Sequence, residues 1–290
     1  MASFLAFLAL LSFSFSINAL YFYNSTAIAP TSWINSASIP HTADYSDGSS
    51  VRILLLNVNP AGYGPSFAAG FYCFAPCNRF FFSIFIIYAN DVNKGIWDGS
   101  LPQVIWTANR SHPISENATL QLTSKSGLTL HDSDGSLVWT TYVERSSVTG
   151  IYISGSGNLV LFHINNSPVW RSWGHPTDSL VMGQSLAGGQ RLTASSSSTN
   201  WTEGKVYLIL LAGGLFGFVN SDPPQLYGQI PLNSNRAVNK SAFMNFDNGS
   251  LYMNSSSFYY PYFDSLHYSL LSILIFLFFG GRFRILNWSN

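Results

Sequence analysis

Three tryptophans at nearly equal spacing constrain this 290-residue chain more than any other feature. Gly127-Leu128-Thr129-Leu130-His131 ends eight residues before Trp139, and Asn158-Leu159-Val160-Leu161-Phe162 ends eight before Trp170, an offset of 31. Ile105-Trp106 falls 33 residues before Trp139 and follows the apolar run Phe82 to Tyr88, which makes a third copy. Each copy alternates apolar and polar residues over short runs bounded by Gly, Asn, Asp and Ser, the period-two pattern of half-buried strands. No stretch between residues 45 and 175 keeps a helical period. Strands this short cannot bury a face alone, so three units must close around a common axis with the tryptophans in the core. The expectation is an all-β fold, a small three-sided β-prism or barrel.

A weaker second set follows. Gly213 to Phe218 can be laid over Gly157 to Phe162, and Asp247-Asn248-Gly249-Ser250-Leu251 resembles the turn from Asp132 to Leu137. Between the sets, residues 178–204 are rich in Gly, Ser and Thr, with four serines at 195–198, and read as containing a flexible connection. The length is that of about two domains, so the chain reads as a tandem of two β modules, the second less regular. Charged residues make up 9% of the chain, 13 basic and 13 acidic, against about 25% in ordinary soluble proteins. Without clustered Lys and Arg there is no footprint for nucleic acid. Apolar residues at 47%, with 16% aromatics, suit a packed core of strands and exclude disorder.

Met1 to Ala19 is an apolar run closed by small residues and reads as a signal peptide, although it has no Lys or Arg at its start. A membrane anchor or buried helix is the alternative. Nine Asn-x-Ser/Thr sequons follow, at Asn24, Asn109, Asn117, Asn165, Asn200, Asn239, Asn248, Asn254 and Asn287, as expected of an exported glycoprotein. In an oxidising compartment the two cysteines, Cys73 and Cys77, form a disulfide at a hairpin tip that contains Pro76. Half of a zinc site is the rival, and it needs two more ligands that the sequence does not place nearby.

Three stretches carry a family resemblance: VIWTANRSHPISENATLQLTSKSGLTLHDSDGSLVW at 104–139, SGNLVLF at 156–162 and VWRSWGHPTDSLVMGQSL at 169–186. Together they resemble the bulb-type (mannose-binding) lectin domain, and more closely the ectodomain of plant G-type lectin S-receptor-like kinases. The likeness is strong over residues 45–188 and thinner afterwards, through NWTEG, GGLFGFV and NSDPPQLYG. It implies a β-prism of three four-stranded sheets, usually in tandem, that binds mannose-type sugars or serves as a recognition module. The organisation then expected is a signal peptide at 1–19, an N-terminal segment at 20–44, a lectin domain at 45–166 and a degenerate lectin-like β domain at 167–290. Family receptors continue into a kinase, but no Gly-rich loop, VAIK-type lysine, HRD or DFG occurs in these residues.

The family's sugar pocket has the form Q-x-D-x-N-x-V-x-Y: three directed hydrogen-bonding side chains, an apolar contact and a phenol. Unit three places Ser154, Ser156, Asn158, Val160 and Phe162 at those positions, so Asn and Val survive. The plainer reading of Asn158, and the favoured one, is a turn or strand-end residue. Unit two offers Thr123, Lys125, Gly127, Thr129 and His131, with no match, and unit one offers Phe80, Phe82, Ile84, Ile86 and Tyr88, where only Tyr matches. Each lost hydrogen bond costs about 1 kcal/mol, and millimolar binding is only about 4 kcal/mol.

Other patterns are weaker. Asp132-Ser133-Asp134-Gly135 resembles the start of a calcium loop but lacks the downstream acid, and a hairpin turn explains it better. His175 and Asp178 read as structural, since there is no G-x-S-x-G. No enzyme, cofactor or metal is expected. Leu270 to Phe279 extends to a largely apolar stretch of 14 residues over 268–281, short of the about 17 that a span needs. GRFRILNW at 281–288 instead resembles the last strand of the family's second module. The function expected is secreted, carbohydrate-binding recognition of mannose-type glycans or of cell-surface and cell-wall glycoproteins through degenerate sites. The alternative is a protein-interaction module or truncated receptor ectodomain without sugar binding, which 268–281 would anchor in a membrane.

Overall fold

The computed structural model describes residues 24–61, 64–90, 95–96, 100–143, 147–211, 213–231, 242–247, 250–255, 258–261 and 284–286. Among them the regular structure is β-strand, apart from one 3-10 turn at Ser172–Gly174. The signal-like residues 1–19 and the apolar stretch 268–281 lie outside the described residues.

Three antiparallel sheets build the first part of the chain. One joins Thr26–Ile28, Gly150–Ile153, Leu159–Phe162 and Pro168–Arg171; a second joins Thr31–Ile34, Thr119–Thr123, Gly127–His131 and Leu137–Thr140. The third runs through Thr42–Asp44, Ser50–Asn57, Pro65–Cys73 and Phe80–Asn90, with Gln103–Thr107 also paired to the last of these. Each sheet therefore takes one outer strand from residues 26–44. The segment expected to stand apart at 20–44 is stitched into all three sheets, so a boundary at 45 would cut every one of them. Arg52 fixes the stitch: its Nη1 donates to Asn35 Oδ1 at 2.7 Å and to Glu116 at 2.8 Å, and its guanidinium lies 4.3 Å over the Phe80 ring. Trp170 likewise carries the first sheet past residue 166, because its strand pairs with Leu159–Phe162.

Trp106, Trp139 and Trp170 meet on a common axis. Their centroids are 5.7, 5.8 and 5.9 Å apart and each pair is edge-to-face, with interplanar angles of 71°, 70° and 74°. That is the geometry the ring quadrupole favours. Each indole lies opposite an aliphatic residue on the neighbouring strand: Ile84 for Trp106, Leu130 for Trp139, Leu161 for Trp170. Around them Phe71, Phe82, Leu120, Leu128, Ile151 and Leu159 complete one buried core.

The second part holds two four-stranded sheets. Arg191–Ser195, Glu203–Leu211, Gly214–Val219 and Gln225–Pro231 form one; Ser185–Ala187, Ala242–Asp247, Ser250–Ser255 and Phe258–Pro261 form the other. They share a core that includes Leu186, Leu192, Leu208, Leu215, Met244 and Phe246. Arg284–Leu286 is a strand, as its sequence resemblance suggests, and pairs in parallel with Ser179–Val181.

The connection at 178–204 departs from its composition. Ser197 and Asn200 close a tight turn, and Trp201 behind them is only 8% exposed among Tyr72, Phe74 and Phe81 of the third sheet. Arg110, in the TANR stretch, donates to the carbonyls of Trp201 and Thr193 at 2.9 Å and to Ser195 Oγ at 3.1 Å. Ser195 Oγ in turn donates to the buried Asp178 at 2.7 Å. Serine content predicts flexibility only where nothing anchors the flanks, and here an arginine and a tryptophan do.

Candidate functional site

The hairpin Gly150–Ile153 to Leu159–Phe162 carries the expected sugar positions, and the structure brings them together in two groups. Ser154, Ser156 and Asn158 share the connecting turn. Ser154 Oγ accepts the Asn158 N–H at 3.0 Å and that of Ser156 at 3.3 Å, and is hydrogen-bonded to Ser156 Oγ at 3.0 Å, with either hydroxyl able to donate. Gly157 turns the chain at φ +81°, where a Cβ would come within 2.8 Å of Phe67 and Ile105; only glycine fits both demands.

Asn158 is the hinge between turn and core. Its Oδ1 accepts from Ser172 Oγ at 3.3 Å and from the Trp173 N–H at 3.4 Å, while Ser172 Oγ also accepts the Leu159 N–H at 3.0 Å. The side-chain oxygen is thus turned towards the protein, and Nδ2 makes no hydrogen bond within the described residues.

Val160 and Phe162 lie on the face opposite Leu159 and Leu161, as strand alternation requires. Val160 is flanked by Tyr152 and Arg171 on the adjoining strands and is only 2% exposed. The Phe162 ring covers Gly150, where an added Cβ would meet its Cζ at 2.6 Å, and packs 5.8 Å from the Tyr152 ring. Beside the turn, a crevice lined by Trp106, Gly157, Ser172 and Trp173 has about 10 Å³ of space, about what a single water needs and far too little for a sugar.

The counterpart hairpin in the second sheet ends in His131, whose Nδ1 is buried without a partner among the described residues. Its turn uses both acidic side chains: Asp132 Oδ1 accepts the Ser115 and Ser133 N–H groups, and Asp134 Oδ1 that of Ser136. Hydrogen bonds from Ser136 hold the Asp134 carboxyl below the usual carboxylate range. This is a hairpin turn with Gly135 at φ +85°. Among the described residues no group of three or more His, Cys, Asp or Glu is placed to hold a metal. On the third sheet Phe80, Phe82, Ile84 and Ile86 are buried, leaving Tyr88 at the surface.

Cys73 and Cys77 are bonded to each other at the tip between Pro65–Cys73 and Phe80–Asn90, so their sulfurs are not zinc ligands. His175 stacks on Trp170 with centroids 5.3 Å apart, and its carbonyl accepts the Trp106 indole N–H at 2.7 Å; burial pushes its imidazole below the usual histidine value.

The sequons divide by burial. Asn24, Asn117, Asn165 and Asn200 are exposed, and in two of them the sequon hydroxyl donates to the Asn Oδ1, Ser167 to Asn165 at 2.7 Å and Thr202 to Asn200 at 2.8 Å. Asn109 is different. It is 4% exposed, its Oδ1 accepts the Phe82 N–H at 2.9 Å and its Nδ2 donates to the His112 and Phe80 carbonyls. A glycan at Asn109 is incompatible with these contacts, so the expectation for that sequon is corrected: its amide serves the fold. Asn254 sits in Ser250–Ser255, opposite Phe243 and Tyr259. Asn239, Asn248 and Asn287 lie outside the described residues. Sequence reading missed the internal role of Asn109 because a sequon carries no information on burial.

Residues 103–202 match the D-mannose binding lectin family. The chain thus carries a lectin-like domain of the bulb type over these residues. It is 39% identical over 137 residues to EP1-like glycoprotein 2 of Arabidopsis thaliana, covering 46% of this chain and 30% of that protein. It is 37% identical over 134 residues to EP1-like glycoprotein 1, covering 45% and 30%. A G-type lectin S-receptor-like serine/threonine-protein kinase, SD2-5, is 31% identical over 141 residues, covering 49% of this chain and 16% of the kinase. The chain thus spans less than a third of the length of each of these relatives. No helix among the described residues is long and apolar enough to cross a membrane.

Proposed function

We propose that this protein is an exported, non-catalytic recognition glycoprotein, built as two β-prism modules in tandem, whose lectin domain keeps one weakened mannose-type site at 154–162. The observation that carries this is the hairpin itself: inside a lectin-family domain, Asn158 and Val160 stand at the family's Asn and Val positions, with the Ser154 and Ser156 hydroxyls beside them. The site is weak because Gln, Asp and the phenol are replaced, and each missing hydrogen bond removes about 1 kcal/mol. The glycans or glycoproteins of a cell surface or wall are the partners this chemistry fits.

A second reading, protein recognition without sugar, is favoured by the 2% exposure of Val160, since a sugar can reach it only if the side chains around it move aside. Binding of methyl α-mannoside to the secreted chain, followed by NMR, separates the two. A millimolar affinity that falls on Ser156→Ala and rises with Ser156→Asp plus Phe162→Tyr supports the first. Absence of binding by wild type to mannosides and to a glycan array leaves the second.

A further inference from the structure

Away from that hairpin, an open groove of about 660 Å³ runs between Thr31–Ile34, the stretch 35–41 and Ser50–Asn57. Trp33, Ser36, Ser38, Ile39 and His41 line it, and so does Asn117, the acceptor of the Asn-Ala-Thr sequon at 117–119. We propose that the groove is the seat of the N-linked glycan on Asn117, whose first sugars lie against Trp33 and are held by the Ser36 and Ser38 hydroxyls.

The geometry supplies the reasons. Asn117 is exposed and adopts φ +65°, and its N–H donates to the Asn35 carbonyl at 2.8 Å, which ties the attachment point to the strand-to-strand link that walls the groove. A glycan leaving that side chain starts inside the cavity and needs no diffusional encounter, so even weak contacts are populated. The volume lies within the roughly 300–1,000 Å³ of small-molecule sites. Its lining pairs an indole and Ile39 with two hydroxyls that at present bond to each other at 2.7 Å, a mixture that suits a pyranose with one apolar face and a hydroxyl rim. Cover is also needed there, because Ile34 at the groove edge is 55% exposed on a chain with few charges to keep it soluble. The exposed sequons at Asn165 and Asn200 lie outside the lining of this groove, and they serve as internal controls.

The proposal rests on the export reading, and the test separates the two. The full chain is secreted from plant cells, site occupancy is read by glycopeptide mass spectrometry, and the native protein is trimmed with an endoglycosidase while release is followed at each site. The expected result is that Asn117 is occupied and trimmed about tenfold more slowly than Asn165, and that Trp33→Phe or the pair Ser36→Ala and Ser38→Ala brings its rate up to that of Asn165. Two variants are used because loss of the indole also removes packing, whereas the serine pair leaves the core intact. Occupied Asn24, Asn165 and Asn200 with an empty Asn117 overturn the groove proposal alone, as does equal trimming at Asn117 and Asn165. No occupied sequon anywhere overturns the export reading and the groove with it.

Discussion

Trp201 stacks on Tyr72 with ring centroids 4.9 Å apart and planes 20° from parallel. The two residues are far apart in sequence, Tyr72 on a strand of the third sheet and Trp201 in the connection between Arg191–Ser195 and Glu203–Leu211, so this contact, with the Arg110 hydrogen bonds beside it, holds the second part of the chain against the first. Phe74 and Phe81 close the pocket at 4.4 and 5.0 Å from the same indole. The stretch most suggestive of a linker is therefore a plug.

Trp201→Ala is expected to destabilise the chain by about 3–5 kcal/mol, the cost of deleting a buried tryptophan that its surroundings cannot refill. Urea unfolding measures it. A loss below about 1 kcal/mol shows that the contact does not bind the two parts.

The three axial indoles act as one cluster. A double-mutant cycle of Trp139→Leu with Trp170→Leu is expected to give a coupling of about 0.5–1.5 kcal/mol, the share of an aromatic pair beyond its buried area. Additive effects within error count against an energetic role for the edge-to-face contact at 5.9 Å.

Cys73 and Cys77 close a short loop, four residues apart in sequence, so their bond restricts the unfolded chain only modestly. Loop-closure entropy for about five residues corresponds to about 2 kcal/mol. The Cys73→Ser, Cys77→Ser double variant should fold and unfold at lower urea by that amount. A variant that fails to fold at all gives the disulfide a larger part than chain entropy allows.

Burial pushes the imidazoles of His41 and His175 below the ordinary histidine value. The unfolded chain then binds more protons than the folded one, so stability is fully present above the unfolded pKa of about 6.5 and declines as pH falls through the lower folded values. Urea midpoints should drop between about pH 7.5 and pH 5, and His175→Phe, which keeps a ring against Trp170, should flatten part of that slope. An unchanged slope in the variant assigns the acid sensitivity elsewhere.

Much of the first module was legible in the residues. The indoles of Trp106, Trp139 and Trp170 announced themselves by spacing, and the Asp132 to Gly135 stretch read correctly as a turn, because alternation and turn chemistry are local properties. The outer strands were not legible. Thr26–Ile28 and Thr42–Asp44 are three residues each and alternate only between exposed and half-buried, too little pattern to tell a strand from a tail. The candidate site was half legible: Ser154, Ser156, Asn158, Val160 and Phe162 do share one hairpin, yet nothing in their order says that Asn158 Oδ1 faces Ser172 or that Phe162 covers Gly150.

The sequence by itself determined an all-β chain with a threefold tryptophan centre and a lectin-type domain, since strand periodicity and short motifs need only near neighbours. Only the tertiary structure decided which polar groups serve the fold and which face the solvent. Asn109 and Asn117 belong to the same kind of sequon, but one is closed in by Phe82 and His112 and the other opens onto a groove, a difference set by strands distant in sequence.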